Sequence, residues 1–167
     1  MKATLQSSPK RKSEKLPDVV DQQTRSRMMS GIRGVNTKPE LVIRKALHRQ
    51  GFRFRLHAHD VPGRPDLLLP KYRAAIFVHG CFWHGHDCSL FRVPGTRTEF
   101  WQAKIDRNRN RDAEVAVQLA DQGWRQLSIW ECAFRGPGQI GLDETIARTV
   151  QWIRSDFTSL EIRSETL

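Results

Sequence analysis

The sequence predicts an α/β domain in which helices flank a central mixed β-sheet. Two observations carry this. Segments with apolar residues at helical spacing alternate with short strand-sized runs, in the order helix, three strands, helix, strand, helix. The chain of 167 residues, 38% hydrophobic and 28% charged, suits one domain with a real core.

The elements follow in order. Residues 1–20 read as a basic tail, with Lys10, Arg11, Lys12 and Lys15 clustered and little to bury, and are expected to be disordered. The domain proper is expected over residues 21–157, and residues 158–167 read as a C-terminal tail. Arg25 to Ile32 can form a short opening helix, with Met28, Met29 and Ile32 as its apolar face. Thr37-Lys38-Pro39-Glu40 is a strong helix start, because Thr37 can cap, Pro39 fits the first turn and Glu40 completes a capping box. Val42, Ile43, Ala46 and Leu47 then form one face until Gly51. Phe52, Phe54 and Leu56 alternate with Arg53, Arg55 and His57, the pattern of a half-buried strand. After a turn at Pro62-Gly63, Asp66 to Leu69 and Ala74 to Val78 read as a strand hairpin. Thr98 to Gln122 reads as helix, either continuous or broken near Asn108 to Asn110, and Gly123 stops it. Trp124 to Trp130 is a fourth strand. Leu142, Ile146, Val150 and Ile153 define a closing amphipathic helix.

Lys and Arg outnumber Asp and Glu by 28 to 18, for a net charge of +10 and a pI near 10.3. Such an excess favours a polyanionic partner, because neutralising phosphates releases condensed counterions. No apolar run is long enough to span a bilayer, and none follows the basic N-terminus as in a secretory signal, so no membrane partner and a cytoplasmic location are expected. Disulfides are not expected of three cysteines in that compartment.

Metal ligation suits the cysteines better. Cys81, His86 and Cys88 fall within eight residues after the third strand, and Cys132 directly follows the fourth. If those strands are neighbours, the four residues close a tetrahedron without an open position, the character of structural zinc. Buried free cysteines are the plainer alternative. The same loop carries Phe82 and Trp83, which a short loop can hardly bury. With Trp101 they are candidates for stacking on bases or wedging between base pairs, the alternative being that they roof the core.

A second constellation is catalytic in character. A hairpin turning at Lys71-Tyr72 sets Asp66 beside the backbone carbonyl of Val78 and within reach of His79. A carboxylate, a carbonyl and a phosphate oxygen are hard ligands suited to Mg2+, and phosphodiester hydrolysis uses such ions to hold water and steady the leaving oxygen. A nearby histidine can take the proton from water. Glu40 can order metal-bound water, or serve only as a capping partner.

The stretches Pro62-Gly63-Arg64-Pro65-Asp66, His79-Gly80-Cys81-Phe82-Trp83-His84, Thr96-Arg97-Thr98-Glu99-Phe100-Trp101 and Trp130-Glu131-Cys132 resemble the very-short-patch (T·G mismatch) repair endonucleases, the Vsr family of bacteria. The resemblance runs from about residue 21 to residue 155. It implies a restriction-endonuclease-like fold and a nick 5′ of the thymine in T·G mismatches that arise when 5-methylcytosine deaminates. By the same resemblance, Asp66 bridges the catalytic Mg2+, expected as two ions, with Val78 contributing its carbonyl. His84 is the general base, His79 contacts phosphate or metal-bound water, and Glu40 orders the hydration. Cys81, His86, Cys88 and Cys132 match the ligands of one structural Zn2+. Phe82, Trp83 and Trp101 match an aromatic wedge, and Met29 a residue intercalating from the opposite groove. Two positions depart from the best-known relative: Val78 stands in place of threonine and Gly85 in place of histidine. The expected partners are mismatched double-stranded DNA and mismatch-repair proteins, and the expected state is a monomer beside the nucleoid. Two rivals remain, a restriction-type nuclease that cuts paired DNA and a non-catalytic zinc DNA-binding module.

Overall fold

Leu67–Leu69 and Ala74–Val78 are apolar at every position, the pattern of strands covered on both faces. They lie inside a sheet that the computed structural model describes together with residues 23–24 and 34–165 of the chain. The chain divides into two units, Met1–Ile32 and Arg33–Leu167, and all elements named below belong to the second. The basic tail of residues 1–20 and the helix expected at 25–32, Met29 included, lie outside the described residues.

Three helices of more than ten residues occur among the described residues: α1 (Lys38–Arg49), α2 (Thr98–Asp121) and α3 (Leu142–Arg154). The strands are β1 (Arg55–Leu56), β2 (Leu67–Leu69), β3 (Ala74–His79), β4 (Arg125–Trp130) and β5 (Ser159–Ile162), and they stand in sequence order across the sheet. The pairs β1–β2 and β2–β3 are antiparallel, whereas β3–β4 and β4–β5 are parallel. The two parallel connections run through α2 and α3, as parallel strands require. No helix among the described residues is long and apolar enough to cross a membrane.

Alternation along the strands splits the core in two. Leu67, Leu69, Ile76, Val78, Leu127 and Ile129 pack with Ile43 and Leu47 of α1 and Trp152 and Ile153 of α3. Leu68, Ala75 and Phe77 face the other way, onto Leu119 and Val115 of α2. Helices thus cover both faces of the mixed sheet, as the sequence predicts.

Several local expectations change. Thr37 caps α1 by accepting from the Glu40 amide, but the Glu40 carboxylate reaches the backbone N–H of Asn36 rather than that of the cap residue. The face of α1 that packs inward holds Ile43 and Leu47, with Glu40 and Arg44 also buried, while Val42 is exposed. The strand expected from Phe52 shrinks to Arg55–Leu56, with both residues exposed. Phe52 instead packs into the core directly from the turn after α1. The long helix is continuous through Asn108 to Asn110. The segment expected as a tail, residues 158–167, carries β5, whose Ile162 pairs with Ile129 and is buried. Within β5 only Leu160 and Ile162 are apolar, too short a pattern to read as a strand.

Gly63 sets the path into β2. It has φ +74°, and a Cβ there would stand 2.5 Å from Val115 Cγ1 on α2. Gly63→Ala combines left-handed strain with that clash and should destabilise the protein by about 1–3 kcal/mol, read as a lowered urea midpoint. An unchanged midpoint would show that the loop absorbs a side chain there.

Candidate active site and metal centre

The pairing of β3 with β4 is parallel and in register to its end, where His79 lies opposite Trp130. Cys81 and Cys132 each follow by two residues, so both leave the sheet at the same end. Because β2 runs antiparallel, its entry at Asp66 lies at that end too. One end of the sheet therefore gathers residues scattered from position 66 to position 132.

The cysteine cluster forms as the sequence predicts. Donor atoms of Cys81, His86, Cys88 and Cys132 all lie within 4.8 Å of one another, a set that can hold a metal ion. Cys81, Cys132 and His86 are buried, and His86 Nδ1 stands 3.5 Å from Cys132 Sγ. The imidazole is clamped by stacking on Trp130 at 4.0 Å. The Ser164 amide donates to Cys132 Sγ, a contact with the segment after β5. Burial, with Cys132 and Cys88 adjacent, pushes the Cys81 thiol well up, so that ligation by the thiolate calls for a cation to displace its proton.

Between Cys81 and His86 the loop bends through Gly85, which has φ +60° and leaves no room for a Cβ beside Ile105. That bend turns His84 towards α2. His84 Nδ1 pairs with Asp112 Oδ2 at 2.5 Å, and its Nε2 stands 3.3 Å from His79 Nδ1. Burial and the neighbouring His84 depress His79 to about 3, so it is neutral at working pH. A carboxylate on one nitrogen of His84 holds its proton there and leaves the other as a lone pair, the arrangement of a general base with its orienting partner. Asp112 has no local signal in the sequence that marks it for this role.

Asp66 is held by its Oδ2, which accepts the Val78 amide at 2.8 Å. The imidazole within 4 Å of Asp66 is His57, at 3.8 Å, whereas His79 is turned to His84. Burial raises the Asp66 carboxyl to about 6, partly offset by the Val78 hydrogen bond, with the Glu40 charge raising it further. Glu40 is buried and accepts from Thr37 Oγ1, the Asn36 amide and Arg44. A desolvated carboxylate beside a second one is short of positive charge, which is the condition a divalent cation relieves.

Phe82, Trp83 and Trp101 are half-buried rather than freely exposed, and pack on one another with ring centres 5.1 to 6.1 Å apart. Lys104 lies over Trp83 and Trp101, and Asn108 donates to the Trp83 carbonyl. The aromatic cluster is thus tied to the loop of His84 on one side and to α2 on the other.

An oriented imidazole, a buried carboxylate with no lysine or arginine ion-paired to it among the described residues, and a surplus of ten positive charges meet in a protein built to hydrolyse a polyanion, a DNA endonuclease. The family of DNA mismatch endonuclease Vsr matches residues 17–90. The chain is 42% identical over 150 residues to the DNA mismatch endonuclease Vsr of Escherichia coli (strain K12), covering 90% of this chain and 96% of that protein. It is also 42% identical over 125 residues to the type II nicking enzyme V.XorIIP of Xanthomonas oryzae pv. oryzae, covering 75% and 92%. Against the type II nicking enzyme V.NmeAIP of Neisseria meningitidis the identity is 38% over 120 residues, covering 72% and 86%. The chain belongs to the Vsr family of DNA mismatch endonucleases, and its sheet and flanking helices are the family's restriction-endonuclease-like fold.

Because the folded Asp66 pKa is raised, its protonation favours the fold below about pH 4, and that contribution is lost as pH rises through about 6. In metal-free buffer the wild type should therefore lose up to about 3 kcal/mol relative to Asp66→Asn over that window, measured by urea unfolding. Parallel pH profiles would contradict it. Asp112→Asn should lower single-turnover nicking by about 10²-fold or more and alter its pH profile, with little change in the circular dichroism spectrum.

Proposed function

We propose that the protein nicks one strand of duplex DNA 5′ of the thymine in T·G mismatches left by deamination of 5-methylcytosine, through Mg2+-dependent hydrolysis of the phosphodiester. The single observation that carries this is the Asp112–His84–His79 chain at the same sheet end as Asp66. The name of the Escherichia coli relative, a mismatch endonuclease, supports the choice of substrate.

In this reading Asp66 and the Val78 carbonyl hold the catalytic Mg2+. When bound, that metal supplies positive charge for the attacking and leaving oxygens. Asp112 keeps the Nδ1 proton of His84 in place, so Nε2 takes the proton of the attacking water. Neutral His79, fixed by its stacking on Phe77 and its packing against Trp130, would contact the phosphate or the metal's water through Nε2, since its Nδ1 faces His84. Glu40 orders the hydration from its buried seat on α1. The sulfur-rich set of Cys81, His86, Cys88 and Cys132 holds one structural Zn2+, since three thiolates and an imidazole suit that ion. Phe82, Trp83 and Trp101 enter the duplex beside the mismatch, with Met29 inserting from the opposite groove. The protein acts as a monomer in the cytoplasm, beside the nucleoid, and hands its nick to mismatch-repair proteins.

The deciding experiment is a strand-resolved nicking assay with Mg2+, comparing T·G and C·G duplexes in a methylase-site context. Nicks confined to the thymine strand are expected, and Asp66→Ala should abolish them while DNA binding persists. Equal cutting of the C·G duplex would instead make this a restriction-type nuclease. Cys132→Ser should release zinc and lower the melting temperature by ten degrees or more, on the order of several kcal/mol for a domain of this size. A stable, active Cys132→Ser protein would count against a structural ion.

A further inference from the structure

Glu40, His57 and Asp66 place one donor atom each within 4.8 Å of one another, the spacing of three ligands of one cation. Arg44 rules the imidazole out of that set. Its Nη2 lies 2.9 Å from Glu40 Oε2 and 2.7 Å from His57 Nε2, and its other terminal nitrogen donates to Asn36 Oδ1. The Arg44 side chain is only 8% exposed, so these bonds fix the guanidinium in place.

A guanidinium nitrogen donates and never accepts. His57 Nε2 is therefore the acceptor, and the neutral ring carries its proton on Nδ1. That nitrogen faces Asp66, 3.8 Å from Oδ1. The opposite tautomer would set two N–H groups against each other across 2.7 Å. A nitrogen that carries a proton has no lone pair for a metal. His57 thus presents Asp66 with a dipole, while the Val78 amide holds the other carboxylate oxygen.

We infer that His57 is a positioning residue for Asp66 and not a metal ligand, because Arg44 locks its tautomer with the Nδ1 proton facing the carboxylate. At 3.8 Å Nδ1 and Oδ1 are too far apart for a hydrogen bond, so the contact is electrostatic. Its dipole restrains rotation of the carboxylate that would bind the cation. This device links α1, through Arg44, to the carboxylate at the head of β2. Glutamine can reproduce both functions, accepting from Arg44 through its oxygen and donating to Asp66 through its amide nitrogen.

The inference rests on Asp66 as the cation-binding carboxylate, and Mn2+ serves as the probe on full-length, zinc-loaded protein without DNA. Electron–nuclear double resonance of the Mn2+-loaded wild type should show no directly bound 14N. Titration by electron paramagnetic resonance should give Mn2+ affinity reduced about tenfold or more in His57→Leu, but within about threefold of wild type in His57→Gln. A bound 14N in the wild type, unchanged affinity in His57→Leu, or equal losses in both variants would each overturn the inference. The wild-type spectrum decides whether His57 ligates the ion even if His57→Leu proves unstable. Asp66→Asn separates the two levels: if it binds Mn2+ as wild type does, the catalytic reading of Asp66 fails. If only His57→Leu binds as wild type, that reading stands and the role of His57 falls.

Discussion

The parallel, in-register pairing of β3 with β4 is the constraint on which the rest of the structure depends. It brings residue 79 beside residue 130, and hence the loop after β3 beside the turn after β4. Shifting the register by one residue would turn every side chain of β4 to the opposite face. Leu127 and Ile129 would leave the core, and Cys132 would leave the cluster. Burial of alternate strand residues on two helical layers is therefore also what keeps the cysteines together, so the stability of the fold and the assembly of the site share one origin.

Around that pairing the site is built in layers of decreasing polarity tolerance. Asp66 and Glu40 are carboxylates largely withdrawn from water, each satisfied by donors from its own neighbourhood: Val78 for one, Thr37, Asn36 and Arg44 for the other. Burying such groups costs free energy unless donors or cations compensate. Here the backbone and one arginine supply part of the compensation, and the remainder is what raises the Asp66 carboxyl to about 6. On the other side of the loop, His79 is stripped of water so thoroughly that it titrates at about 3, while His84 keeps contact with Asp112. Two histidines five residues apart thus acquire different chemistry from their surroundings alone.

Much of this was legible in the sequence, for identifiable reasons. The capping sequence at Thr37 to Glu40, the two apolar strands and the cysteine and histidine spacings are local signals, and each element or cluster forms where its signal lies. What escaped was non-local. Asp112 is one acid among many charged residues in α2, and nothing near it in sequence shows that residue 84 will fold against it. Arg44 falls outside the apolar face read from Val42, Ile43, Ala46 and Leu47, yet it is buried. Its four-residue spacing from Glu40 is the available sign of an ion pair, but burial of that pair depends on Asn36 and His57 arriving from other segments. The fifth strand escaped because its partner is β4, 33 residues away in the register of Gln126 with Ser159, and its own residues are mostly exposed.

Phe82, Trp83 and His84 are consecutive, and both flanks of the triplet are tied, to the cysteine cluster and to α2. The offset between the aromatic rings and the imidazole is therefore written into the covalent chain. Such a triplet behaves as a ruler with a single graduation. If the rings seat on a duplex as proposed, the imidazole falls at one fixed distance from them, whatever bases lie around. Changes elsewhere on the surface can alter which sequence is chosen, but they cannot lengthen the ruler.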